Sequence, residues 1–97
     1  MGLFDLFSKK ETVSILGVEF PIFDGKRTWV EGRNNSKYQR KDYYYRIDNE
    51  KKDYYVTKLY EYGFTQRNNV RYDKDNAYVI IEESGDRLHI AFHVVKQ

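Results

Sequence analysis

The stretch that most constrains this chain runs from Asp42 to Phe64, D-Y-Y-Y-R-I-D-N-E-K-K-D-Y-Y-V-T-K-L-Y-E-Y-G-F. Tyr55, Val56, Leu59 and Tyr62 form one stripe at helical spacing, with Tyr54, Lys58 and Glu61 opposite. Asp48 and Asn49 both suit an N-cap. Asp48, Glu50 and Asp53 set negative charge at the positive end of the helix dipole. Gly63 stands where a left-handed residue ends a helix, and Phe64 follows where it can touch Leu59. A helix over about 49–62 is predicted, fed by a short strand around Tyr43 to Arg46. It is the only good cover the sequence offers for a sheet.

The sheet is predicted after the helix. Residues 65–72, 77–82 and 87–95 read as three antiparallel strands, with turns at Asp73–Asn76 and Ser84-Gly85. A two-residue loop at Ser84-Gly85 sets Ile81 opposite Leu88, Val79 opposite Ile90 and Ala77 opposite Phe92. The first turn sets Tyr72 opposite Ala77. All of these fall on one apolar face, and a slip of one residue would turn the set into solvent. The other face carries Tyr78, Ile80, Glu82, Arg87, His89, Ala91 and His93, with Glu82 and Arg87 as an expected ion pair.

Ahead of the helix, Asp24-Gly25 is the strongest hairpin signal. Taken as a two-residue loop, it pairs Phe20 with Trp29 and gathers Val18, Phe20, Ile22 and Trp29 on one face. Pro21 lacks an N–H, so its strand is expected at an edge, or that position is expected to point away from its neighbour. Gly17 is the expected break from the upstream Val13 and Ile15. Residues 32–42, G-R-N-N-S-K-Y-Q-R-K-D, read as a polar loop.

Residues 1–10, M-G-L-F-D-L-F-S-K-K, form a short amphipathic segment with Leu3, Phe4, Leu6 and Phe7 as its apolar residues. Three readings stand: a turn of helix docked on its own domain, a hook for a partner or second copy, or a contact with a membrane surface. Gly2 raises myristoylation, but that motif wants Ser or Thr at position 6, and Leu6 stands there. No apolar run is long enough to span a membrane, and no cleaved leader is expected.

The length of 97 residues suits one domain, 11–97, after the amphipathic segment. Aromatics make up 18%, with ten Tyr and six Phe, too many for a disordered chain. The absence of Cys excludes disulfides and thiol catalysis and suits a cytoplasmic protein. Heavy use of Lys, Asn, Tyr and Ile suits an AT-rich genome, such as a low-GC bacterium or its phage. The net charge of +2 hides an asymmetry: from Lys26 to Lys41 six basic residues stand against Glu31 alone. A local basic field of this kind bears on partners, not on fold.

The chemistry-bearing residues are few. His89 and His93 lie four apart on one strand, roughly 13 Å at strand rise, too far to share a metal. There is no nucleophile elbow, no Gly-rich loop before a helix and no marked acid–base pair. No cofactor, metal or enzymatic activity is expected. The candidate binding residues are Arg33, Lys37, Tyr38, Arg40, Lys41, Tyr44 and Arg46, a basic and Tyr-rich run. Such surfaces stack bases and neutralise phosphates, and they are equally typical of protein interfaces.

From Tyr43 to Val95 the chain resembles small uncharacterised bacterial α+β domains. The resemblance rests on a strand, a helix reading Y-V-x-x-L-x-x-x-G-F (Tyr55 to Phe64) and a β-meander. It implies a fold and no activity. The expectation is an α+β domain with one helix on an antiparallel sheet of about five or six strands, including an N-terminal hairpin. The expected function is a non-enzymatic protein-interaction module, such as a small regulator or inhibitor, whose partner is another protein or a second copy in a homodimer. The alternatives are nucleic-acid or nucleotide binding through residues 26–46 and membrane-surface association through residues 1–10.

Overall fold

The helix forms where its signals put it. In the computed structural model, which describes residues 12–97, Asp48 is the N-cap and its carboxylate accepts from Lys51 N at 3.1 Å. The helix, α1 (Asn49–Glu61), stops with Gly63 at φ 95°. Gly63 N donates to Tyr60 O and Phe64 N to Leu59 O, both at 3.0 Å. This is the paired hydrogen bonding of a Schellman stop, and both Leu59 and Phe64 are buried beside it.

Eight strands accompany the helix among the described residues: β1 (Thr12–Ile15), β2 (Val18–Pro21), β3 (Arg27–Asn34), β4 (Tyr38–Arg46), β5 (Thr65–Gln66), β6 (Arg71–Lys74), β7 (Ala77–Ser84) and β8 (Arg87–Val95). β1 and β2 form a two-stranded sheet. The other six form one antiparallel sheet in the order β3-β4-β8-β7-β6-β5. The fold is therefore α+β, one helix packed on an antiparallel sheet beside a small hairpin.

The N-terminal hairpin exists, but not at Asp24-Gly25. β2 pairs back with β1, setting Val13 opposite Phe20 and Ile15 opposite Val18. Leu16 and Gly17 form the turn at φ 51° and 83°, the left-handed pair that suits a tight hairpin. Asp24-Gly25 lies instead in the connection to β3. Phe23 is buried there against Tyr45 and Tyr55, at ring separations of 4.8 and 5.7 Å. A Cβ on Gly25 would lie 2.1 Å from the Phe23 ring, so glycine is needed for that packing. Phe20 and Trp29 are not partners: Trp29 pairs with Tyr44 and is 62% exposed.

The helix does not cover the sheet alone. Phe20 is buried between the helix stop and the sheet, 5.5 Å from the Phe64 ring and 4.8 Å from that of Phe92. The Tyr55 hydroxyl donates to the Pro21 carbonyl at 2.5 Å, tying helix to hairpin. Beneath lie Tyr43, Tyr45, Tyr72, Val79, Leu88, Ile90, Phe92 and Val94, all buried.

The meander keeps its faces but not its register. Val79 faces Phe92, Ile81 faces Ile90 and Tyr72 faces Val79, each shifted by two residues from expectation. The turns sit at Asp75-Asn76 and Gly85-Asp86, where Asp75 and Gly85 take φ 53° and 64°. An even shift preserves the inward set, because side chains alternate with period two. It also moves Glu82 opposite His89, so the expected pairing of Glu82 with Arg87 does not form. Residues 65–72 are not one strand: β5 has two residues, and β6 begins at Arg71.

Residues 32–42 are not a loop either. They belong to the long hairpin of β3 and β4, whose turn is closed by Asn35. The Asn35 side-chain oxygen accepts from Lys37 N at 2.8 Å and Tyr38 N at 3.0 Å. The apolar segment Leu3, Phe4, Leu6 and Phe7 lies outside the described residues.

Candidate interaction surface

Alternation along β4 sorts the candidate residues. Tyr38, Arg40, Asp42, Tyr44 and Arg46 point away from the helix, while Lys41 shares the inward parity of Tyr43 and Tyr45. Arg33 on β3 sits opposite Arg40 and joins the outward set. Lys37 lies in the hairpin turn, apart from the rest. The structure therefore gathers Arg33, Tyr38, Arg40, Tyr44 and Arg46 on one outer face and separates Lys37 and Lys41 from it.

This outer face is built from cross-strand stacks. His93 lies between Tyr38 and Tyr78, with ring centroids 4.5 and 4.4 Å away, and the Arg71 guanidinium sits 3.9 Å from the Tyr78 ring. The result is a ladder of flat groups from β4, β8, β7 and β6. Tyr44 stacks on His89 at 4.5 Å in the same way. These separations approach the roughly 4.8 Å between neighbouring strands, so the sheet itself spaces the rings.

Charge on the face is largely committed within it. Arg40 forks onto Asp42, with Nε at 2.9 Å from one carboxylate oxygen and Nη2 at 3.0 Å from the other. His89 Nε2 lies 2.7 Å from Asp42 Oδ2. Burial alone would raise the Asp42 pKa, but the hydrogen bonds from His89 and Arg40 lower it to about 2. Arg71 and Arg67 likewise hold Asp73. The Tyr38 pKa is lowered, chiefly by the hydrogen bond from Arg33. Burial, with Arg40 and Arg71 nearby, lowers the His93 pKa. Its Nδ1 is buried without a hydrogen-bond partner among the described residues. Arg40 is thus a structural cation, and Arg33 and Arg46 are the cations left exposed among the outward candidate residues.

Two features escaped the sequence reading. One is a groove of about 670 Å³ between the β2–β3 connection and α1, with Phe23, Tyr45 and Tyr55 among its lining and Arg27, Lys51 and Lys58 at its margin. Lys51, Tyr55, Lys58 and Tyr62 recur at helical spacing, a signal present in the sequence but overshadowed by the apolar stripe.

The other is the β3 edge. All eight of its residues are exposed, including Trp29 and Val30 at 62% and 43%. Asn35 N donates to Tyr38 O at 3.0 Å and Lys96 N to Lys37 O at 2.8 Å. In an antiparallel ladder these bonds set the alternation. The N–H and C=O of Trp29, Glu31 and Arg33 turn toward β4, and those of Val30, Gly32 and Asn34 turn off the sheet.

Among the described residues, no group of three or more His, Cys, Asp or Glu side chains is placed to hold a metal ion. Nor is any described helix long and apolar enough to cross a membrane. The chain matches no family model, no curated protein and no solved structure.

Proposed function

We propose that this chain is a non-enzymatic protein-interaction module that binds by strand addition at β3. One observation carries the proposal: an eight-residue edge strand, exposed throughout, with the backbone groups of Val30, Gly32 and Asn34 facing outward. Protein edges of this length are usually shortened, covered or interrupted by proline, because they template further pairing. Main-chain hydrogen bonds supply the affinity in this mode, and flanking side chains such as Trp29 and Arg33 supply the selectivity.

Gly32→Pro tests it. Proline removes an outward N–H and leaves the β3–β4 ladder intact. Wild-type and variant protein are compared as bait in native extract at equal thermal stability. A partner held by wild type and lost by Gly32→Pro, with Val30 and Asn34 amides protected from exchange in the complex, is the expected result. Equal capture by both, or no partner for either, overturns the proposal.

A second reading, binding of a nucleotide-like anion, draws its support from the groove rather than the outer face. Among the described residues Arg27, Lys51 and Lys58 carry no ion pair, and Tyr54 beside them is 63% exposed for stacking. The groove falls in the range of about 300–1,000 Å³ typical of small-molecule sites. Titration with adenosine monophosphate should move the amides of Lys51, Tyr54 and Lys58, and Lys58→Glu should abolish the response. Unmoved amides at millimolar nucleotide exclude it.

A further inference from the structure

We propose that the strand added to β3 is the β3 of a second copy, paired antiparallel about a two-fold axis at Gly32. This rests on the strand-addition reading above and names its partner.

The backbone and the charges together favour one register. Gly32 has outward N–H and C=O groups, so two copies of Gly32 can exchange both bonds across the axis. Val30 of each copy then bonds Asn34 of the other, using the remaining outward groups. Between these rungs, Glu31 falls opposite Arg33 of the second copy, twice by symmetry. An axis at Glu31 or Arg33 would set a like-charged residue against itself. An axis at Val30 would set Glu31 opposite Trp29 and carry Arg33 past the regular segment, leaving both charges without an opposite partner.

The charges of β3 favour the same arrangement. Within the chain Glu31 lies opposite Asp42, and Arg33 lies opposite Arg40. Like charges facing across a ladder are unfavourable. Neither Glu31 nor Arg33 forms an ion pair among the described residues, whereas Asp42 and Arg40 hold each other. Each edge charge thus meets its own sign on the inner side and would meet the opposite sign on the outer side. The two edges are complementary to themselves, as an isologous interface requires.

Gly32 fits the axis better than it fits the isolated chain. A Cβ there would come no closer than 3.8 Å to the Arg40 carbonyl, so the β3–β4 ladder does not require glycine. Glycine inside a strand weakens it, and often marks a close approach of another backbone. The register irregularity between Arg27 and Trp29 ends the regular segment, leaving residues 29–35 as the pairing length. Pairing joins two six-stranded sheets into one. An edge contact this narrow buries less than a permanent dimer does, so a reversible dimer in the micromolar range is expected.

Sedimentation equilibrium on the full chain, with Trp29 fluorescence as a second readout, tests the proposal. The wild-type mass should rise with concentration from 11.8 kDa toward twice that value. Glu31→Arg and Arg33→Glu should each weaken association at least about tenfold, since attraction becomes repulsion at both symmetric pairs. An equimolar mixture of the two variants should recover association as a heterodimer, and the double variant Glu31→Arg/Arg33→Glu should recover it as a homodimer. These recoveries also exclude misfolding as the cause of loss. A wild type that stays monomeric, or single variants that associate like wild type, overturns the second-copy proposal. If a different protein is still captured in a Gly32-dependent manner, the strand-addition reading survives that failure. If association persists in Gly32→Pro, the two chains pair elsewhere and the second-copy register is wrong.

Discussion

Asp42 on β4 accepts a hydrogen bond from His89 on β8, Oδ2 to Nε2 at 2.7 Å, while the Arg40 guanidinium forks onto the same carboxylate. Two strands and three side chains are thereby joined at the centre of the outer face. The folded pKa of Asp42, about 2, lies below the ordinary 3.8, so folding favours the carboxylate. The stabilisation is present above pH 3.8 and is lost as the pH falls through about 2. Asp42→Asn should cost about 1–2 kcal/mol near neutrality, less than a fully buried pair because the face is partly wet. Urea unfolding of both proteins across the acid range checks this: their stabilities should converge toward pH 2. A constant gap would show that the carboxylate charge is not the cause.

His93 carries the opposite kind of test. Its ring is buried between Tyr38 and Tyr78, near Arg40 and Arg71, with Asp42 acting in the opposite sense. Its pKa falls below the ordinary 6.5, so folding favours the neutral ring. Stability from this source is present above 6.5 and declines below it, because the unfolded chain takes up the proton first. His93→Phe keeps the stack and removes the unpartnered Nδ1. The variant should melt no lower than wild type at about pH 7.5 and should lose less on going to about pH 5.5.

Phe20 and Trp29 separate core from surface. Phe20 fills the junction of hairpin, helix stop and sheet, so Phe20→Ala should cost about 3–5 kcal/mol. Trp29 is 62% exposed, and Trp29→Ala should leave monomer stability within about 0.5 kcal/mol. Chemical denaturation at low protein concentration compares the two. Similar losses would place Trp29 in the core and remove it from the edge.

Leu16 holds φ 51° in the β1–β2 turn and is half exposed, so a β-carbon is strained there with little burial in return. Asn tolerates this conformation and is favoured in such turns. Leu16→Asn should raise stability by about 0.5–1 kcal/mol, read as a higher melting temperature. A lower one would show that the packing of the Leu16 side chain outweighs the backbone strain.

The helix was legible because its information is local. Asp48, the stripe at Tyr55 and Leu59, and the Gly63-Phe64 stop all act within one or two turns. The inward set of the meander was legible for a related reason: alternation survives any even slip. Its register was not, because Ser84-Gly85 and Gly85-Asp86 are both acceptable turns, and only the packing of Phe92 and Val94 chooses between them. The candidate site was legible in part. The outward parity of Tyr38, Arg40 and Tyr44 follows once β4 is a strand. The contact of Asp42 with His89 was not legible, because His89 lies 47 residues from Asp42 along the chain.

The sequence alone determined the helix, its two ends, the class of fold and the apolar face of the meander, since these depend on neighbours along the chain. Tertiary structure decided the rest. Asp24-Gly25 lost its hairpin because burying Phe23 against Tyr45 and Tyr55 outweighs a local turn preference that Leu16-Gly17 could also meet. Residues 32–42 became strand because β8 offered β4 a full ladder of backbone partners. That same ladder leaves β3 as the open edge, with the backbone groups of Val30, Gly32 and Asn34 facing outward.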